Sequence, residues 1–378
     1  MKSRTAPLSE LCKGGGNYGI AAPAVEYSPD LPTYLRITDI NDDGTLNESG
    51  LKSVDDPNSA KYYLSPNDIV FARTGASTGR NYFYDGSDGE FVYAGFLIKF
   101  SLDPQKVNPV FVKYYCQSKD YSDWVGSFNT GSTRGNINAQ TLGNMPIPVL
   151  PRDQQDLIAV TLSALDARIA ETRKINHHLE QMAQAIFKSW FVDFESFGGV
   201  MPDQWHKGIL GDVASITSGK RPPYRQAEFT ADTEIPILGA SSIMGYTNAV
   251  LYDERILVTG RVGTHGIVQR YSRPCWASDN TLVIRSDFYE FTYQQLCGVD
   301  FHNMNRGSTQ PLITQTDLKN VPILLPDKAN LREFEVLVGS LMERFEANIL
   351  ESAHLAALRD TLLPRLLSGE LSLKGACP

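Results

Sequence analysis

Five glycine-bearing loops hold side chains whose types and spacing could engage a ligand. Two fall early: Arg73-Thr74-Gly75-Ala76-Ser77-Thr78-Gly79-Arg80 and Thr130-Gly131-Ser132-Thr133-Arg134-Gly135-Asn136-Ile137-Asn138. Three fall later: Gly219-Lys220-Arg221-Pro222-Pro223-Tyr224-Arg225, Arg261-Val262-Gly263-Thr264-His265-Gly266 and Asn305-Arg306-Gly307-Ser308-Thr309-Gln310. Glycine lets a backbone approach another surface closely. Arginine suits guanine, asparagine and glutamine suit adenine, and hydroxyls or backbone amides suit phosphate. The chemistry on offer is therefore recognition of a nucleic acid, with a solvated turn of the same composition as the plain alternative. The early candidate contacts are Arg73, Thr74, Ser77, Thr78, Arg80, Ser132, Thr133, Arg134, Asn136 and Asn138. The later ones are Lys220, Arg221, Tyr224, Arg225, Arg261, Thr264, His265, Arg306, Ser308, Thr309 and Gln310.

Bond-making chemistry finds no comparable support. Arg221-Pro222-Pro223-Tyr224 has the outline of the Asp/Asn-Pro-Pro-Tyr loop of adenine methyltransferases, but a cation stands where the amine needs a hydrogen-bond acceptor. Ser218-Gly219-Lys220 lacks the upstream glycine and the following hydroxyl of a phosphate loop. The histidines have no metal-ligand spacing, and His177 and His178, adjacent on a helix, point in different directions. Cys12, Cys116, Cys275, Cys297 and Cys377 are scattered and form no CxxC pair. That argues against zinc and suits a reducing compartment, so the cytoplasm is expected. No catalytic residue and no metal ligand is assigned.

The loops need a scaffold, and a repeat describes it. Gly131-Ser132-Thr133, Leu142, Asn144 and Pro146 recur as Gly307-Ser308-Thr309, Leu318, Asn320 and Pro322, an offset of 307 − 131 = 176 residues. A four-three apolar ladder follows each copy. The first includes Leu162, Leu165, Ile169, Thr172, Asn176 and Leu179 within a run from Ile158 to Trp190. The second includes Val338, Leu341, Phe345, Asn348, Ser352 and Leu355 within a run from Phe334 to Leu366. Solenoid repeats have periods of roughly 20–50 residues, so a repeat this long is a whole module present twice. The pattern predicts a head over 1–150, a long helix over 151–195, a second head over 196–326, and a long helix with a tail over 327–378. Runs at 35–40, 68–73 and 91–100, bounded by turn residues, read as strands, and 110–119 reads as a short helix. The fold class is α+β, with two similar mixed α/β heads.

Each helix opens on a proline and an acidic turn, Pro151-Arg152-Asp153 and Pro326-Asp327, which suits the positive end of the helix dipole. From Ile158 to Trp190 the rise is roughly 48 Å at about 1.5 Å per residue. A helix that long in water pairs with another. The second head leaves the end of one helix and enters the start of the next, so antiparallel pairing as a coiled coil, with a pseudo-two-fold axis, is expected. That geometry sets Thr172 opposite Ser352 and Asn176 opposite Asn348, a polar layer that would fix register.

Composition bounds the partners. The 378 residues, 42% apolar, suffice for two cores. No stretch approaches 18 apolar residues, so no membrane helix is expected. Net charge is −8, and even 196–326, the segment nearest neutrality among the heads, carries 11 basic against 12 acidic side chains. Nucleic-acid binding must rest on local clusters or on help from a partner.

The order head, helix, head, helix resembles the specificity subunits of type I restriction–modification systems over nearly the full length. The resemblance is carried by the strand-to-helix passages at 142–151 and 318–326. It extends to Ala185-Ile186-Phe187-Lys188-Ser189-Trp190-Phe191-Val192-Asp193-Phe194-Glu195 and Leu363-Pro364-Arg365-Leu366-Leu367-Ser368-Gly369-Glu370-Leu371. It implies a non-catalytic subunit binding a bipartite site on double-stranded DNA, one half per target-recognition domain, with the helices setting the spacer. It also implies two methyltransferase (M) subunits using S-adenosylmethionine, and restriction (R) subunits using ATP and Mg2+, with no cofactor on this chain. A coiled-coil scaffold whose heads bind proteins or small ligands is the competing expectation.

Overall fold

The computed structural model describes residues 4–47, 49–128, 136–262, 266–304 and 312–371. The chain forms two compact units, Met1–Glu171 with Glu351–Pro378, and Thr172–Leu350. Each takes part of both long helices, Arg152–Phe191 and Lys328–Leu367.

In the first unit an antiparallel sheet runs in the order Asn17–Tyr18, Leu97–Ser101, Asp68–Ala72, Asn81–Tyr84. A second sheet runs Ala24–Val25, Lys52–Val54, Thr33–Leu35, Phe91–Tyr93, its last pairing parallel. Asp68–Ala72 is buried along its whole length because it separates two cores. Side chains alternate along a strand, so Ile69 and Phe71 enter one core while Val70 and Ala72 enter the other. Asp68 is buried without loss: it pairs with Lys99 at 3.0 Å and accepts from the Ser101 hydroxyl at 2.6 Å and the Ser65 amide at 2.8 Å.

The second unit repeats this plan. Its sheet runs Ser215–Ser218, Thr281–Arg285, Ile256–Gly260, Val268–Tyr271, beside a smaller sheet of Ile243–Thr247, Ile235–Leu238 and Trp276–Ala277. Leu257 faces one core and Ile256 and Val258 the other. In both units a short strand just before the long helix pairs with the unit's opening strand: Pro146–Pro148 with Thr5–Pro7, and Pro322–Leu325 with His206–Ile209.

Three local expectations change. Of the run at 35–40 only Leu35 lies in a strand, Thr33–Leu35, and the chain then turns, with Asp39 N–H donating to Arg36 O at 3.0 Å. The apolar run at 91–100 is two strands in different sheets, since the chain turns at Gly95 and Leu97 N–H donates to Ala94 O. The helix expected at 110–119 is Pro109–Tyr115, capped by the Asn108 side chain, followed by a separate helix Lys119–Gly126 capped by Ser118.

The long helices pair in each unit. In the first, Arg168 meets Glu351 at 2.7 Å and Asp166 meets Arg359 at 2.9 Å, while Ile158 and Leu162 share a core with Leu363, Leu366 and Leu367. In the second, Asn176 bonds to Asn348, and Phe187 and Phe191 meet Phe334 at 6.1 and 5.0 Å between ring centroids. Rising numbers on one helix meet falling numbers on the other, so the pairing is antiparallel. The ladder follows burial: Leu162, Ile169, Thr172, Val338 and Asn348 are buried, and Leu165, Asn176, Leu179, Leu341, Phe345, Ser352 and Leu355 are half-buried. Trp190, Phe191 and Phe194 pack on the second unit's own aromatic core, with Phe191 5.1 Å from Phe291 and 5.5 Å from Trp205.

Candidate nucleic-acid interface

In the first unit the central strand ends at Ala72, and the next residue is held from both sides. Arg73 N–H donates to Phe96 O at 3.1 Å, and Ile137 N–H donates to Arg73 O at 2.9 Å. Beside it the strand Asn17–Tyr18 ends where Gly19 crosses the turn at 94–97. Gly19 N–H donates to Leu97 O at 3.2 Å, and Ile20 N–H donates to Tyr93 O at 3.0 Å. The crossing requires glycine, because a Cβ would lie 2.2 Å from Ala94 O. Three side chains converge as a result. The Arg73 guanidinium carbon stands 5.1 Å from the centroid of the Tyr18 ring and 6.0 Å from that of Phe96. Both residues are exposed, Tyr18 43% and Phe96 56%. Large aromatics left in water beside a cation mark a contact surface rather than a core.

The other early candidates divide by what already holds them. Arg80 pairs with Asp42 at 2.6 Å and donates to Ile40 O, so its fork serves the loop. The Thr78 hydroxyl donates to Gly75 O at 2.7 Å. Asn138 caps the helix Ala139–Gly143 by accepting from Thr141 N–H at 2.8 Å. Tyr18 joins the same turn, its hydroxyl accepting from Ala139 N–H at 3.2 Å. Thr74 and Ser77 are half-buried and Asn136 is exposed. Ser132, Thr133 and Arg134 lie outside the described residues.

The second unit rebuilds the arrangement bond for bond. Arg261 N–H donates to Asn280 O at 2.8 Å, and Ile313 N–H donates to Arg261 O at 3.0 Å. Gly219 N–H donates to Thr281 O at 3.0 Å and Lys220 N–H to Ala277 O at 2.9 Å, and a Cβ on Gly219 would lie 2.1 Å from Ser278 O. Thr74 bridges to Asn136 as Val262 does to Leu312. Ser218 and Asn280 thus stand where the first unit has Tyr18 and Phe96. The Ser218 hydroxyl accepts from the Gln315 amide at 2.8 Å. Lys220, Arg221, Tyr224 and Arg225 form an exposed basic loop with an aromatic, its base tied by Trp276 Nε1–H donating to Lys220 O at 2.7 Å. Thr264, His265, Arg306, Ser308, Thr309 and Gln310 lie outside the described residues.

The surface offers hydrogen-bond donors and flat rings among the described residues. Among the described residues no group of three or more His, Cys, Asp or Glu is placed to hold a metal ion. Burial pushes the Cys12 and Cys275 thiols up to about 12 and raises Cys116 further, which suppresses thiolate chemistry. Among the described residues no helix is long and apolar enough to cross a membrane.

Known proteins share this organisation. The family model described as type I restriction modification DNA specificity domain matches residues 3–181 and again 202–358. The MjaIX type I restriction enzyme specificity subunit of Methanocaldococcus jannaschii is 24% identical over 70% of this chain and 69% of its own. The HindI specificity subunit of Haemophilus influenzae is 22% identical, covering 90% of this chain and 96% of its own. The crystal structure of a type I restriction–modification S subunit from M. genitalium shares the fold, with a TM-score of 0.61 at 18% identity over 97% of this chain and 96% of that one.

Proposed function

The chain belongs to the type I restriction modification DNA specificity domain family, and from that premise we propose that each of its two modules reads one half of a bipartite site on double-stranded DNA. As a DNA-binding specificity subunit it selects the site; it does not make or break bonds there. The observation that carries the bipartite reading is the double family match over 3–181 and 202–358. Each match takes in one head and most of the long helix that follows. One framework with different side chains at its rim suits two different half-targets.

The helices supply the spacer. Each is 40 residues long, or about 60 Å at about 1.5 Å per residue, against about 34–36 Å for a DNA turn. Helix length then sets the number of unread base pairs. The net charge of −8 disfavours a tight complex of this chain alone with a polyanion. Two methyltransferase subunits docked on the helices complete the DNA-binding assembly and bring S-adenosylmethionine, and restriction subunits bring ATP and Mg2+ chemistry. The assembly works in the cytoplasm, where its DNA is.

Mapping of methylated adenines in cells that carry this chain and its partner subunits tests the reading. The expected pattern is two short defined sequences at a constant separation; one uninterrupted motif, or none, would refute it. Mobility shifts with the methyltransferase present separate it from a protein-binding scaffold, which would give no sequence-dependent shift.

A further inference from the structure

Arg73 differs from the other well-held arginines of its unit. Arg36 pairs with Asp39, Arg80 with Asp42, and Arg168 with Glu351. Arg73 has no carboxylate partner among the described residues, and its Nε is buried without a hydrogen-bond partner there. With Nε buried, the two terminal nitrogens are the donors left for an outside acceptor. Its backbone is bonded on both sides, to Phe96 and Ile137, and its guanidinium lies near two exposed rings. A cation whose backbone is held, which lies beside two rings and has no carboxylate partner among the described residues, suits an external planar acceptor pair.

We infer that Arg73 is the guanine-reading residue of the first half-site and that Arg261, on the same backbone framework, is its counterpart for the second. This rests on the DNA-reading function proposed above and assigns the base contact within it. Guanine presents O6 and N7 side by side in the major groove, and an arginine fork meets both at once. The residues around the two arginines differ in kind: Tyr18 and Phe96 enclose Arg73 with rings, whereas Ser218 and Asn280 occupy the matching positions in the second unit. The same base would therefore be read in two different neighbouring contexts. A phosphate contact is the competing role, and it makes a different demand. Phosphate accepts a point charge, so lysine could serve; a bidentate base contact needs the guanidinium fork.

The test uses the complex with its methyltransferase subunits and a panel of duplexes, each carrying one changed base pair of the mapped target. For Arg73→Lys, affinity for the native target should fall roughly 10- to 100-fold. Discrimination at one G·C pair of the first half should disappear, while the second half is read as before. Arg261→Lys should give the mirror result. Phe96→Leu, which leaves the arginine in place, should weaken discrimination at that same pair. Uniform weakening at every position with unchanged discrimination and an unchanged salt slope, since lysine keeps the charge, would mean a phosphate contact and overturn the assignment. Unchanged binding by the lysine variants would overturn it as well. A wild-type complex showing no sequence preference would instead sink the DNA-reading function itself.

Discussion

The side-chain amide of Asn348 donates to the amide oxygen of Asn176 at 2.8 Å, and the Asn176 nitrogen donates to the Phe345 carbonyl at 3.1 Å. Asn348 is fully buried, and its own oxygen has no partner among the described residues. A buried amide pair in a helix seam selects register at some expense of stability. Asn176→Ala should destabilise the second unit by about 1–3 kcal/mol, because the Asn348 amide is left buried and unpaired. Replacing both asparagines with leucine should be neutral or stabilising. Chemical denaturation of the two variants checks this; a double variant less stable than the single one would show that the pair contributes net stability.

Much of this arrangement is legible in the residues, and the exceptions have physical reasons. The four-three spacing that sets Asn176 near Asn348 is fixed by helix periodicity, which needs no knowledge of the rest of the fold. The strand at 68–72 is equally plain, since its apolar run is too short for a helix and is flanked by turns. Tyr18 and Phe96 are not legible as surface groups, because an aromatic beside glycine reads as core; only the crossing of Gly19 over Ala94 exposes them. One signal does exist: Tyr18-Gly19 and Ser218-Gly219 occupy matching strand ends, so a position that differs beside a shared glycine marks the rim. Arg80 looks like a reader in its loop, yet its partner Asp42 is 38 residues away, and pairings of that range are set by tertiary structure.

The second unit holds a buried ion network. Glu290 is fully buried and accepts from Arg270 at 2.5 and 2.8 Å and from Arg255 at 2.7 Å. Arg270 is 7% exposed and Arg255 43%. Arg270→Ala removes two of the three arginine hydrogen bonds that this buried carboxylate accepts and should cost up to about 3–5 kcal/mol. Arg255→Ala should cost clearly less, since solvent already screens that side chain. Urea unfolding of both variants measures the difference, and equal losses would mean that burial does not govern the network.

Glu335 makes the fold sensitive to pH. Burial raises its carboxyl to about 7, against the opposing pull of the Phe291 and Glu290 amides that donate to it at 2.8 and 3.1 Å. A carboxyl raised in the folded state binds a proton more tightly there than in the unfolded chain. Its contribution to stability is therefore present below the ordinary value of 4.5 and is lost as pH rises towards 7. Glu335→Gln should be less stable than the parent at pH 5, since its amide nitrogen cannot accept from Glu290. It should also lose less stability between pH 5 and 8. Parallel denaturation curves across that range test the point; identical pH slopes would exclude Glu335 as the titrating group.

Gly19 and Gly219 provide a matched pair for separating the two readers. A Cβ at Gly19 would lie 2.2 Å from Ala94 O and 2.3 Å from Tyr93 O, and one at Gly219 would lie 2.1 Å from Ser278 O. These are backbone atoms in sheet-ending turns, so relief requires the crossing strand to move. Gly19→Ala should displace Tyr18 from Arg73 and loosen the Gly19–Leu97 hydrogen bond, with little effect on the distant long-helix seam. Gly219→Ala should do the same to Ser218 beside Arg261 and to the Gly219–Thr281 hydrogen bond. Each substitution should cost more than about 1 kcal/mol, the usual scale for a backbone position that cannot take a side chain. In hydrogen exchange, Gly19→Ala should lower protection at the amides of residue 19 and Ile20, while those of Gly219 and Lys220 keep theirs. In methylation mapping the same variant should degrade one half-target only. Equal loss at both halves from either single substitution would mean that the modules do not read independently.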